Sequence, residues 1–347
     1  MVLDRPPEPS AADPRPGWKD RLFNRRSYAW SKRFLDPLFL GAIAVLIAVP
    51  VYASGNPWGS FALESAFASI FIMLALAWDF SSGMTGYLNF GLPFFFGVGA
   101  FVAGYMSWQD EVTRYVPFLL AGAFAAGLAC GVLFAIPTLR LRGPYFTLLS
   151  FLLPLLALDF VQAFWWELNM PSLGYWAIPF LGSTPEAELI LLSVANGVFL
   201  AALCFLRSSH FGLVLRGIRD DEDALLSQGI STFPYKVVAF TISSGVMAFA
   251  GASYAMVNSF GGVDTFGFFF ILFPVLIAIL GGTGELYGAV FAGYFVYLLY
   301  ANLFPTFAEL TLILFVSLAI LLVLFLPHGL VQPIRRFIKF MRTEQPS

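Results

Sequence analysis

The sequence predicts an all-α, polytopic membrane protein of about ten transmembrane helices, some of them broken, with both termini in the cytoplasm. Three observations carry that expectation. Of 347 residues 59% are hydrophobic and 12% charged, against about 25% charged in a soluble domain. The apolar residues gather into runs of roughly 20, and a helix of that length crosses the ~30 Å of hydrocarbon in a bilayer. The basic residues, finally, cluster between alternate runs. Net charge is −2, and such scattered basic clusters are no footprint for nucleic acid.

Taken in order, residues 1–35 hold eight Lys or Arg, four acids and five prolines. That is too long and too mixed for the n-region of a signal peptide, and it reads as a cytoplasmic, partly disordered tail. Apolar runs follow at about 36–54, 62–80, 86–106, 115–138, 144–165, 187–206, 236–258, 266–281, 285–303 and 307–326. The membrane domain thus covers 36–330, interrupted by a polar loop over 207–235, and 331–347 forms a second cytoplasmic tail. Ten crossings return the chain to its starting side, and the lysines and arginines test the count. Eight precede residue 36, Arg140 and Arg142 follow the fourth run, and Arg207, Arg216, Arg219 and Lys236 follow the sixth. Arg335, Arg336, Lys339 and Arg342 follow the tenth, which leaves only Arg114 of the 19 on the outer side. A missed or invented span would scramble this segregation.

Several spans carry breakers. Pro93, Pro154 and Pro274 fall within the third, fifth and eighth runs, and glycines crowd 83–104 and 281–293. Proline removes a backbone donor, and opened backbone in hydrocarbon must be covered by protein or face a watery path. Small residues equally serve close helix packing, so both readings stand. Four acids lie in or near spans: Glu64, Asp79, Asp159 and Glu285. A carboxylate at the bilayer centre costs about 2.5–3.5 kcal/mol on insertion scales. Glu64, Asp79 and Glu285 are near span ends, where interfacial water would solvate them. Asp159 is deeper, and either faces a cavity on the solute path or bonds a neighbouring helix. Tyr87, Asn89 and Glu285 sit in the glycine-rich segments and, with Asp159, are the candidates for a substrate pathway. Cys130 and Cys204 lie in apolar runs with no ligand spacing, and are expected to be core thiols. His210 and His328 stand at membrane edges without an HExxH or GxSxG pattern. No metal site is expected.

The polar loop RSSHFGLVLRGIRDDEDALLSQGISTFPYK, residues 207–236, sets charge beside oil. Arg216, Arg219, Asp220, Asp221, Glu222 and Asp223 lie on a predicted short helix, with Gly229 as its stop. Ala224, Leu225, Leu226 and Ile230 supply an apolar part, as a docking element at a membrane surface needs.

This loop resembles the cytoplasmic coupling loop of bacterial ABC importer permeases, and more closely that of the branched-chain amino acid and urea/amide permease family. The likeness rests on FGLVLRGIRDDED, Ala224, Gly229-Ile230 and Tyr235-Lys236. Other blocks match in the same order: YLNFGLPFFFGVGAFVAG at 87–104, LRLRGPYFTLLSF at 139–151, AFTISSGVMAFAGASYA at 239–255 and LGGTGELYGAVFAG at 280–293. The chain departs from the family at Leu225 and Leu226, at Pro144, and at Tyr87, Asn89 and Leu92. The resemblance implies a multi-pass permease subunit of the bacterial inner membrane that moves a small amino-acid-like or amide solute. It implies as partners the lipid bilayer, ATPase subunits, a second permease subunit and an extracytoplasmic solute-binding protein. It implies, too, that Arg216, Arg219, Asp220, Asp221, Glu222, Asp223, Ala224 and Gly229 serve ATPase coupling. The chain contains no Gly-Lys dipeptide and so no Walker A loop. No cofactor is therefore expected in this chain, and ATP with magnesium would be held by the partner ATPase. An ion-coupled secondary transporter using Asp159 is the alternative reading, and a scaffold or channel the third.

Overall fold

A computed structural model describes residues 37–55, 59–109, 115–141, 143–164 and 174–303, together with residue 317. Both expected tails and, except for residue 317, the tenth apolar run, 307–326, lie outside the described residues. The remaining nine runs each meet a helix: α1 (Pro37–Ser54), α2 (Gly59–Trp78), α3 (Leu92–Gln109), α4 (Val116–Thr138), α5 (Pro144–Phe164), α6 (Pro185–Ser208), α8 (Phe233–Val257), α9 (Phe269–Gly281) and α10 (Gly288–Leu303). The polar loop supplies α7 (His210–Ser227). Six of these helices are long and apolar enough to cross a membrane: α1, α2 with its extension to Gly83, α4, α5, α6 and α8. Helices α9 and α10 are apolar but shorter.

The third run is shorter at its start than its hydropathy suggests. Residues 87–91 are irregular and α3 begins at Leu92. Pro93 therefore does not interrupt a span. It occupies the first turn, where its missing N–H has no intrahelical partner to lose. Pro154 and Pro274 do lie inside α5 and α9. Helix α2 ends in a π-helical turn, Asp79–Gly83, buried throughout.

The helices pack as two layers. Helices α3, α4 and α8 form one and α1, α2, α6, α9 and α10 the other, with α8 against α2 along the seam and α5 leaning on α3 and α4. Glycine makes the first layer close. A Cβ on Gly99 would fall 1.8 Å from the carbonyl oxygen of Ala248, and one on Gly251 1.8 Å from that of Phe96. Of the two readings of the glycine clusters, close packing thus holds for Gly97, Gly99 and Gly293, each of which presses on a neighbouring helix or loop. The second layer adds a buried polar contact, Ser69 Oγ with Tyr294 Oη at 2.9 Å, beside Asn196, whose Nδ2 donates to the Ser69 carbonyl at 2.8 Å.

Successive helices alternate in direction, and side-chain contacts identify the two ends. At one end, β1 (Gly174–Trp176) pairs antiparallel with β2 (Phe260–Gly262), placing Gly174 opposite Gly262, and Ser259 Oγ donates to the Ile178 carbonyl at 2.7 Å. At the other lie the C-terminal ends of α2, α4, α6 and α9, the N-terminal ends of α3, α5, α8 and α10, and all of α7. Every described basic residue, namely Arg140, Arg207, Arg216, Arg219 and Lys236, belongs to this basic end.

Candidate functional site

Helix α7 is a platform laid across the basic end. Gly212, Val214, Leu215 and Ile218 are buried at helical spacing, while Arg219, Asp220, Asp221, Asp223 and Ala224 are exposed. Its apolar face docks through Phe211, which stacks on Phe80 and Tyr235 at 6.4 and 5.7 Å between centroids. The helix is not continuous. Asp221 has extended backbone (φ −162°, ψ 101°), and its Oδ1 accepts from the Ala224 N–H at 3.0 Å. That is N-capping of a second, short helix over 222–227. The second helix ends as predicted at Gly229, which has φ +81°, and the Ile230 N–H returns to the Leu225 carbonyl at 3.1 Å. Glycine takes this left-handed position without Cβ strain.

The short second half is pinned by Glu222. Its Oε1 accepts from Lys236 Nζ at 2.8 Å and from Thr232 Oγ1 at 2.6 Å, and its Oε2 accepts from Tyr87 Oη at 2.5 Å. Lys236 also lies 4.4 Å from the Tyr87 ring centroid. The two charged side chains are 5% and 14% exposed. Burial alone would raise the Glu222 carboxyl, but the bonds from Lys236, Thr232 and Tyr87, with the lysine's charge, hold it below the usual carboxylate range. Glu222 therefore faces into the membrane domain, tied to α8 and to the segment before α3.

The first half is pinned by Arg219. Its guanidinium donates to the Gly83 carbonyl at 2.5 Å and, at 3.4 and 3.3 Å, to the carbonyl and hydroxyl of Thr283. These acceptors belong to the two glycine-rich breaks, 79–86 and 281–287, which clasp each other. Asp79, 1% exposed, accepts from the backbone N–H of Gly284 at 2.6 Å and of Leu286 at 3.0 Å. Glycine is required at the contact: a Cβ on Gly83 would meet Asp79 Oδ1 at 1.9 Å and the Gly284 nitrogen at 2.9 Å, and Gly284 itself has φ +83°. Beside the clasp, Arg207 of α6 pairs with Glu285 at 3.0 Å, and Tyr287 Oη donates to the same carboxylate.

The structure thus separates residues that the sequence places together. Asp220, Asp223 and Ala224 are on the outward surface, Arg216 bonds within its own helix to the Gly212 carbonyl at 3.3 Å, and Asp221 is a cap. Arg219, although exposed, bonds to the membrane domain, and Glu222 turns inward. Among the pathway candidates, Tyr87 belongs to the Glu222 cluster and Glu285 to an ion pair. Asn89 is buried in the segment before α3, where its Oδ1 accepts from the Gly91 N–H at 2.8 Å and its Nδ2 has no partner among the described residues. Asp159 lies exposed on the outward face of α5 beside Leu155, Leu156 and Phe160. Solvation at a span end, expected for Asp79 and Glu285, is replaced by bonding to backbone amides for the first and to Arg207 for the second. Lys236, Thr232 and the Asp79 clasp went unread in the sequence. The signal available was an acid four residues before a glycine, in DFSSG.

A bundle of helices long and apolar enough to cross a membrane, with a charged platform across one end, is the architecture of a multi-pass membrane protein. The chain belongs to the family of branched-chain amino acid transport system permease components, whose pattern matches residues 64–325. It is 27% identical to the high-affinity branched-chain amino acid transport system permease protein LivM of Salmonella typhimurium, an alignment covering 87% of this chain and 76% of that protein. The Escherichia coli LivM protein is 26% identical over the same shares. A nucleoside ABC transporter permease protein of Lactococcus lactis is 27% identical over 50% of this chain and 60% of its own length. No solved structure matches the chain.

Proposed function

We propose that this chain is the translocation subunit of an ATP-driven importer of the bacterial inner membrane, carrying a small amino-acid-like or amide solute. The observation that carries the reading is α7. It is a kinked, doubly anchored helix that offers Asp220, Asp223 and Ala224 outward at the basic end. Basic residues mark the cytoplasmic side of membrane proteins, so α7 faces the compartment that holds ATP. Two ATPase subunits dock there, and charge on the outward face sets their register. A second permease chain completes the path, and an extracytoplasmic binding protein delivers solute to the β1–β2 end. About ten spans and two cytoplasmic termini fit this arrangement. Family membership in branched-chain amino acid transport supports the solute class.

ATP-driven approach of the two ATPases moves α7 and switches the path between outward and inward openings. Asp159, exposed within an apolar face of α5, is placed to contact either the second permease or the solute, because an isolated carboxylate in lipid is costly. The test is reconstitution with the candidate ATPases and binding protein in liposomes. Uptake should require ATP, and Asp220→Lys with Asp223→Lys should detach the ATPases. Uptake that follows an ion gradient and ignores ATP overturns the importer reading.

A further inference from the structure

We infer that the platform works through two separate struts, one into each layer of the bundle, with Asp221 as the hinge between them. Arg219 is then a transmission residue and not part of the ATPase docking surface. This inference rests on the importer reading and specifies how the stroke enters the membrane domain.

The geometry assigns each strut a destination. Arg219, in the first half of α7, reaches, among the described residues, the 79–86 and 281–287 segments, which terminate α2 and join α9 to α10. Those helices belong to one layer. Glu222, in the second half, reaches Lys236 and Thr232 at the start of α8, and also Tyr87, which leads into α3 and whose segment bonds back to the 79–86 break through Thr85 and Ser82. Those helices belong to the other layer. Between the struts the chain is extended at Asp221, so the rotation of one residue changes the angle between the two halves. A change in that angle moves the layers relative to each other along the α2–α8 seam.

The first strut ends on a rigid body. Asp79 holds Gly284 and Leu286 by two bonds, and Gly83 lies against Gly284 without room for a Cβ, so the two breaks move together. Arginine suits this place because its planar fork holds several donors in fixed relation and bonds both segments at once. A lysine ammonium, a point charge, would hold one of them.

The experiment compares Arg219→Gln and Arg219→Lys with the wild type in the assembled transporter. Three readouts are taken: ATPase co-purification, ATP-dependent uptake, and ATP hydrolysis stimulated by solute-loaded binding protein. Arg219→Gln should keep its ATPases, because docking belongs to the outward residues. It should lose about tenfold in uptake and in stimulation, within the usual range of coupling between sites. Arg219→Lys should fall between. Loss of the ATPases from an otherwise folded Arg219→Gln protein would overturn the inference by making Arg219 a docking residue. Wild-type uptake and stimulation in that variant would overturn it equally. If Arg219→Gln does not fold, Arg219→Lys decides, and uptake equal to wild type refutes the strut. Failure of the importer reading looks different: the wild-type chain itself would bind no ATPase.

Discussion

Replacing Glu222 by Gln tests the inward role of an acid that the sequence alone would place on the docking face. The substitution keeps size and one acceptor, but leaves Lys236, 5% exposed, without its counter-charge. Removing one member of a fully buried ion pair costs about 3–5 kcal/mol, and hydrogen bonds to charged groups are worth about 1.5–3 kcal/mol. Glu222 retains 14% exposure and Gln retains part of the bonding, so a loss of about 2 kcal/mol is expected. In a chain of this size that lowers the melting temperature by about 3 °C. The assay is thermal unfolding of the detergent-purified protein, with Asp223→Asn as the control that should stay within ~0.5 kcal/mol of wild type. Adding Lys236→Met to Glu222→Gln should recover most of the loss, because no uncompensated charge is then left. Acid should also erase the difference. Glu222 titrates lower in the folded than in the unfolded protein, so its contribution is present above the unfolded value of ~4.3 and disappears as pH falls through the lower folded value. The gap between wild type and Glu222→Gln should therefore be constant from about pH 7 to 5 and close only below about pH 4. Equal melting of Glu222→Gln and Asp223→Asn at neutral pH, or a gap that closes already at pH 6, refutes the reasoning.

Asp221→Ala removes the cap from the second half of α7 and should cost about 1 kcal/mol, read by the same melt, with loosened protection of the 222–227 amides in hydrogen exchange. Gly251→Val would drive side-chain carbon into the Phe96 carbonyl, where even a Cβ falls at 1.8 Å. Because overpacking costs about 1–3 kcal/mol or more, monodisperse protein should be lost in size-exclusion chromatography, while Gly197→Val, at a position with open space, should be tolerated. Tyr294→Phe leaves the buried Ser69 hydroxyl without its partner and should cost about 1–3 kcal/mol, without changing ATPase co-purification. Asp159→Leu should leave the melt within ~0.5 kcal/mol of wild type and reduce uptake. Unchanged uptake removes Asp159 from the path.

Much of this architecture was legible in the chain because it depends on local quantities. Hydropathy summed over about 20 residues marks a membrane helix wherever its neighbours are, and nine of the ten expected runs meet helices. Gly229 reads as a helix stop because its left-handed backbone is a property of one residue. Glycines crowding 83–104 and 281–293 also announced breaks, which the structure confines to the starts of those stretches, although Pro93 misled, since a proline in a first turn and one in mid-helix look alike in sequence.

The bonds of Arg219 and Glu222 to the membrane domain, the clasp at Asp79 and the pairing of Arg207 with Glu285 were decided only by tertiary structure. Asp79 meets Gly284 at a separation of 205 residues, and Arg219 meets Gly83 at 136. Within DDED, four acids in a row carry the same charge and the same hydropathy. Which becomes a cap, which a strut and which a solvent-facing contact depends on a single extended residue, Asp221, that rotates the next turn toward Lys236. Such selection arises from the directional geometry of hydrogen bonds between distant segments, and no local sum over sequence contains it.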